Sequence, residues 1–381
     1  MMQDVNSPKI GRSFLQLIPM IILIAFAAMQ AVSATDMQMN IATAIAVIYT
    51  LVMFFLIIHT KKTDTYRTIL FISMAWTFPL GFIATALEER GHFMVLTAED
   101  MLVQHAKFCT IGVTQNILPL VFRNEAFFPI EASQVVFQLI MVIGFGLILG
   151  RGWCAWGCFW GGWEEGFALV RKKAAIKTIN PKFRFLPFAV LASTAFLSAS
   201  MFTSFYCFWL CPFKAVSEFV EIRTRLIVVQ TVIFLIIFFA LVIVLPILTR
   251  KRTQCTFFCP FGAFMSFFHK INPFEIRIDL TKCNTCQKCI RVCPVLAITP
   301  ETLEKGKTTI SCTRCARCID QCPKGAMAYH IRGTKLFVNS ELKRLLFLYP
   351  AFFMFAFVGV SAIQQCLYRI AIFLSTGSFI R

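Results

Sequence analysis

Cys283-Asn284-Thr285-Cys286-Gln287-Lys288-Cys289-Ile290-Arg291-Val292-Cys293-Pro294 is the stretch on which the reading of this chain turns. Its spacing is C-x-x-C-x-x-C-x-x-x-C-P. Cys312, Cys315, Cys318 and Cys322-Pro323 repeat it without a gap, 29 residues further on. Three closely spaced thiolates can wrap three corners of a four-iron cubane, while the more distant fourth reaches a neighbouring cluster more easily. The repeat predicts two crossed [4Fe–4S] sites. Cys283, Cys286, Cys289 and Cys322 would hold one, and Cys312, Cys315, Cys318 and Cys293 the other. A zinc ribbon needs only paired C-x-x-C and leaves the C-P endings unexplained. Asn272-Pro273 opens the surrounding polar stretch, and Pro294, Pro300 and Pro323 punctuate it, so residues 272–340 are expected to form a small, loop-rich, ferredoxin-like module.

Outside that module the composition changes. The 381 residues are 58% hydrophobic and include 43 phenylalanines, which suits lipid as the solvent for much of the chain. Apolar stretches near 14–33, 41–59, 68–87, 134–150, 185–203, 226–248 and 345–361 are each about long enough to cross the hydrocarbon core. The expected fold is an all-α membrane protein, a polytopic bundle of about seven spans. It divides into membrane helices with cysteine pairs (1–271), the two-cluster module (272–340) and a C-terminal membrane helix (341–381). The first stretch also resembles a signal peptide, with Lys9 and Arg12 before it and Val32-Ser33-Ala34 after it; it is read as an uncleaved helix.

The formal charge is +18, but the basic residues cluster beside apolar runs, which argues for membrane topology and against nucleic acid. Lys61, Lys62 and Arg67, then Arg171 to Arg184, then Arg250, Lys251 and Arg252 follow alternate spans, while the loops at 34–40 and 88–133 lean acidic. The positive-inside rule puts the module on the cytoplasmic side of a bacterial inner membrane. The loop at 204–225 is assigned outside although it carries Lys214, Arg223 and Arg225.

Three further pairs share one spacing: Cys154 with Cys158, Cys207 with Cys211-Pro212, and Cys255 with Cys259-Pro260. Two thiolates cannot complete a four-iron cluster, so pairs must join or recruit other ligands. Cys154, Cys158, Cys255 and Cys259 fall on one side and are expected to converge on a third cluster. Cys207 and Cys211 fall on the other, with Cys109 and Cys366. Those four could hold a fourth cluster, form disulphides or remain thiols. Buried cysteines can also be plain apolar packing. His59 at a span end and His92 and His105 in a loop give no pair for haem within the bilayer. Glu164 and Glu165 follow the first cysteine pair. They could accept quinol protons, but are expected to be solvated charges among the headgroups.

With Gly150-Arg151-Gly152-Trp153-Cys154, Cys255-Thr256-Phe257-Phe258-Cys259-Pro260-Phe261-Gly262-Ala263 and the double repeat, residues 110–335 resemble the membrane polyferredoxins of the NapH and NosR type. The likeness is to their short forms without a flavin domain. It implies single-electron relay between a quinone pool or cytoplasmic donor and a partner redox enzyme. The chain would then be an electron-transfer subunit of a larger respiratory complex, with quinol dehydrogenase activity as one form of the role. Phe159 stands where the family has proline, and the Cys207/Cys211 pair is extra. The alternatives are a cupric reductase serving oxidase assembly, for which Met94, Met101, His92, His105 and Cys109 would be the outer ligands, and a non-redox scaffold stapled by clusters.

Overall fold

The computed structural model describes residues 15–22, 24–25, 36–90, 94–96, 110–123, 132–201, 203–215, 218–220 and 225–379. Among them, six helical segments are long and apolar enough to cross a membrane: Met37–Thr60, Thr63–Ala84, Leu139–Trp156, Pro181–Met201, Arg225–Thr249 and Ser340–Thr376. They correspond to six of the seven apolar stretches; half of 14–33 lies outside the described residues.

The surface pattern supports lipid as the solvent. In helix α1 (Met37–Thr60) the Asp36 carboxylate accepts the Met39 amide at 3.1 Å, capping the start, and Lys61 ends the helix in a left-handed conformation. Its exposed residues Ile41, Ile45, Ile48 and Val52 recur at helical spacing, while Ala42, Ala46, Thr50, Phe54 and Ile57 are buried. A water-facing helix would put polar groups on the outer stripe. α2 (Thr63–Arg90) returns beside α1, followed by α3 (Thr110–Arg123) and α4 (Ala132–Leu149). A short parallel pair, β1 (Met94–Leu96) with β2 (Glu218–Val220), joins two loops.

The cysteine pairs sit on segments that turn back into the bundle. α4 ends against the polar module, where the Asn272 amide donates to the Leu147 and Ile148 carbonyls at 2.8 and 2.5 Å. Residues 150–158 then re-enter, and α5 (Phe159–Leu169) comes back antiparallel to α2. Phe159 stacks on Phe78 at 3.9 Å, Trp163 Nε1 donates to the Ala75 carbonyl at 2.6 Å, and Glu165 meets Arg67 near the start of α2. Gly162 permits this approach, since a Cβ there would lie 2.4 Å from the Ala75 methyl.

α6 (Leu186–Met201) precedes the second such turn, and α7 (Arg225–Ile237), continued through a π-helical turn to Thr249, precedes the third. Residues 251–259 re-enter from the module side and α8 (Pro260–Phe267) leads back out. The middle turn, 204–215, enters from the opposite end. Gln115 Oε1 secures it by accepting from the Tyr206 amide, Ser204 Oγ and Ser198 Oγ at 2.9–3.1 Å.

The module is built on two antiparallel strands, β3 (Phe274–Ile278) and β4 (Met327–Ile331), registered Phe274↔Ile331 to Ile278↔Met327. Its cysteine loops are duplicates in backbone as well as in spelling. Left-handed φ values recur at Thr285 and Arg314, Gln287 and Ala316, and Leu296 and Gly325, each pair with the offset of the repeat. α9 (Ser340–Phe355) and α10 (Ser361–Thr376) form one 37-residue span. Phe347, fully buried, stacks on Tyr329 of the module at 4.8 Å, while Phe352 meets Trp156 of the bundle. This span therefore packs against both parts.

Candidate iron–sulphur centres

The cysteine loops bring the thiols into two neighbouring groups. One open cavity is lined by Cys283, Cys286, Cys289 and Cys322, with Ile278, Leu303, Ala326 and Met327 as its apolar wall. Cys286 is exposed. Burial, and then Cys283 and Cys322, push the Cys289 thiol up to about 11, which marks the three as neighbours. In the second set, burial and then Cys312, Cys315, Cys293 and Cys289 push Cys318 well above the usual thiol range. Cys293, Cys312, Cys315 and Cys318 are all buried. Two sulphurs accept matching backbone amides, Cys293 from Ala297 at 3.2 Å and Cys322 from Ala326 at 3.3 Å. Such donors tune cluster potentials.

Among the described residues, no group of three His, Cys, Asp or Glu side chains could hold a single metal ion. A mononuclear zinc site needs each sulphur about 2.3 Å from one centre, whereas a cubane spreads its ligands over several irons. Ser311 Oγ and Thr313 Oγ1, flanking Cys312, are buried with no protein partner, as suits groups that face inorganic sulphide. The donor set fits [4Fe–4S] chemistry.

A third set forms between the first and third re-entrant turns. Cys154 and Cys255 are neighbouring thiols, and Cys154, followed by Arg151 and Arg252 working against burial, holds the Cys255 pKa down. Burial, then Cys255 and Cys158 among its neighbours, push Cys259 up. Cys158 and Cys259 occupy the same place, the last extended residue before a helix, with ψ of 105° and 112°. Cys211 matches them at 108°. Phe159 thus starts its helix without the proline that resemblance led one to expect, and the pair's geometry is unaltered. The helix N-termini of α5 and α8 direct their positive ends at the thiolates. Arg151 donates to the Cys255 carbonyl at 2.8 Å and Arg252 to that of Cys154 at 2.7 Å, and Nε of each is buried with no protein partner. Buried cations beside four thiolates are what an anionic cluster requires.

Cys207 and Cys211 lie close to the third set. Between them is Tyr206, fully buried, whose hydroxyl accepts Gln254 Nε2 at 2.9 Å, next to Cys255. Burial, then Cys211, Cys259 and Cys207, push its phenol well above the usual range. Cys366 is elsewhere, on α10, beside Gly81 of α2. Cys109 lies outside the described residues. Tyr206 carries no sequence signal beyond its place before a cysteine.

Glu164 and Glu165 correct the expectation of solvated charges: they are 1% and 0% exposed. Glu164 accepts the amides of Gln254 at 2.5 Å and Cys255 at 3.1 Å; burial, then Cys255, push its carboxyl up. Glu165 ties three arginines together, with Arg67 at 2.7 Å, Arg252 at 3.0 Å and Arg317 beside them. Against burial, Arg252, Arg67 and Arg317 hold its carboxyl below the usual range. The same Arg67 donates through Nε to the Cys315 carbonyl at 3.2 Å and through Nη1 to the Ala155 carbonyl at 3.0 Å. Lys251 Nζ donates to the Cys293 carbonyl at 2.7 Å, and the Arg252 amide to that of Pro294 at 2.9 Å. The second and third cysteine sets are therefore clamped to each other.

Fold and sites define the class: a membrane protein with iron–sulphur binding segments. The 4Fe-4S dicluster domain family matches residues 275–323, and a 4Fe-4S binding domain family matches three successive segments, 135–177, 184–228 and 231–278. Each of the three carries one cysteine pair. Similar proteins include an uncharacterized protein of Methanocaldococcus jannaschii, 29% identical over 52% of this chain and 80% of its own length. Another is the "Putative electron transport protein YccM" of Escherichia coli, 25% identical over 51% of this chain and 55% of its own. No solved structure matches.

Proposed function

We propose that this chain relays single electrons along a graded row of cysteine sites, between a soluble donor at the module and quinone or a partner redox enzyme at the bundle. The observation that carries this reading is the order of the sites. Exposed Cys286 opens the first, the buried second set follows, Arg67 joins that set to the third, and Tyr206 leads on to Cys207 and Cys211. Four-iron clusters in such sites would supply one-electron chemistry with little nuclear motion. The protein's part is to bury them, give each amide and guanidinium donors, and keep neighbours at fixed separation. The module would lie in the cytoplasm, as the basic loops argue. Of the four outer ligands named for a cupric reductase besides Met94, none lies within the described residues, so no observation favours that reading.

The test is single-turnover redox chemistry on the full chain, purified anaerobically in lipid nanodiscs. Dithionite should reduce it, and a water-soluble quinone should reoxidise it within the time of one mixing experiment. Clusters that stay reduced before every quinone tried would remove quinone from the proposal, and potentials outside the reach of both donor and quinone would favour a structural scaffold.

A further inference from the structure

The first cysteine site has a property that the relay leaves unexplained: its mouth is positively charged. Cys286 is the exposed cysteine among the described residues, and the cavity it lines runs between Lys288 and Lys324. Exposed Lys282 and Arg291 flank it, with the Arg291 guanidinium donating to the Cys286 carbonyl at 3.3 Å. Residues 280–293 and 321–326 contain these four cations and no Asp or Glu. Two acids border these stretches, Asp279, 3.6 Å from Lys282, and Asp320, whose carboxylate accepts the Asp64 amide at 2.7 Å, and four cations against two acids leave the rim with a positive excess.

We propose that this rim is the docking surface for a small acidic one-electron carrier protein that delivers electrons to the chain. The inference rests on the relay reading and specifies its donor. A carrier must come close to a cluster edge; the second set is buried and the third lies among the bundle's helices, so the rim around exposed Cys286 is where approach from water is open. Redox encounters are brief and use small interfaces, so their speed depends on steering by charge more than on buried area. Three lysines and one arginine at the mouth, mobile and well hydrated in the case of lysine, suit fast capture and fast release. One electron leaves the reduced carrier and enters the oxidised site; no bond forms and no proton moves.

The experiment uses the full chain in zwitterionic nanodiscs with a reduced acidic [2Fe–2S] ferredoxin as probe, followed by stopped-flow absorbance. In the wild type the second-order rate should fall steeply as salt rises. Lys288→Glu with Lys324→Glu should slow it about tenfold or more at low salt and flatten the salt dependence. Lys172→Glu with Lys173→Glu, a charge change of the same size on the bundle loop, should stay within about twofold. Dithionite should reduce all three proteins alike, with equal iron contents. Equal rates in the rim variant, equal slowing in the loop variant, or a salt-independent wild type would each overturn the proposal. So would a rim variant that changes only binding to anionic vesicles, which would make the surface a lipid contact. If the double variant loses iron, Lys282→Glu and the wild-type salt series decide. A wild type that dithionite cannot reduce would instead end the relay reading, and this inference with it.

Discussion

Cys293 follows Cys289 by four residues yet keeps company with Cys312, Cys315 and Cys318. The separation is a matter of backbone: a short helix from Lys288 to Val292 carries the chain past the first site, and Cys293 leaves it in an extended conformation. Cys293→Ser should therefore remove about four irons from the second site and spare the first. Iron analysis with electron paramagnetic resonance checks this, and loss of the first site's signal instead would refute the crossing. The module's cysteines were legible as candidate ligands because a cluster accepts few spacings and the tandem spelling points to the exchange. Arg67 and Glu165 were not. They are 98 residues apart, and a charge next to tryptophan and glycine in sequence reads as an interfacial group until the fold closes over it. Glu165→Gln would leave Arg67, Arg252 and Arg317 buried around a neutral amide. Breaking a buried pair costs about 3–5 kcal/mol, so this variant should unfold at clearly lower temperature and admit protease between module and bundle. Unchanged melting would show that the lattice is not what clamps the second set to the third.

At the scale of elements, the re-entrant turn was the least legible feature. Hydropathy shows where spans run, and the shared Cys-x-x-x-Cys spacing shows three related motifs. Neither shows that each motif folds back into the bundle, because a short helix after an apolar run looks like its continuation. The second and third motifs carry proline after the second cysteine, and the first reaches the same turn with Phe159. What holds the first turn is close packing of α5 on α2. Gly162→Ala would press a methyl 2.4 Å from that of Ala75 and 2.7 Å from the Phe71 carbonyl. Overpacking of this kind costs about 1–3 kcal/mol, and here it would push Cys158 away from Cys255 and Cys259. We expect the third site's signal to be lost or weakened while the module's two remain. Gly144→Ala, which meets nothing within 4 Å, should leave all three intact.

For the whole molecule, the cysteine sets predict about twelve irons per chain, with about eight if the third set stays empty. Magnetic coupling should appear between the first and second sites and between the second and third, and not between the first and third. An inventory of about eight irons with normal electron transfer would remove the third set from the path. The middle turn, entering from the end opposite the module, makes the three-motif array partly antiparallel, so its cysteine pair approaches the third set from the other end of the bundle. The seal over the second set has a further consequence, for biogenesis. Cys312, Cys315 and Cys318 are each 6–7% exposed, and Lys251, Arg252 and Arg67 hold the surrounding carbonyls against the bundle. Once those clamps close, a scaffold protein delivering iron and sulphide has no way in. A second cluster would then have to be inserted before the module docks, and an empty module that docked first would be a dead end for the cell to clear.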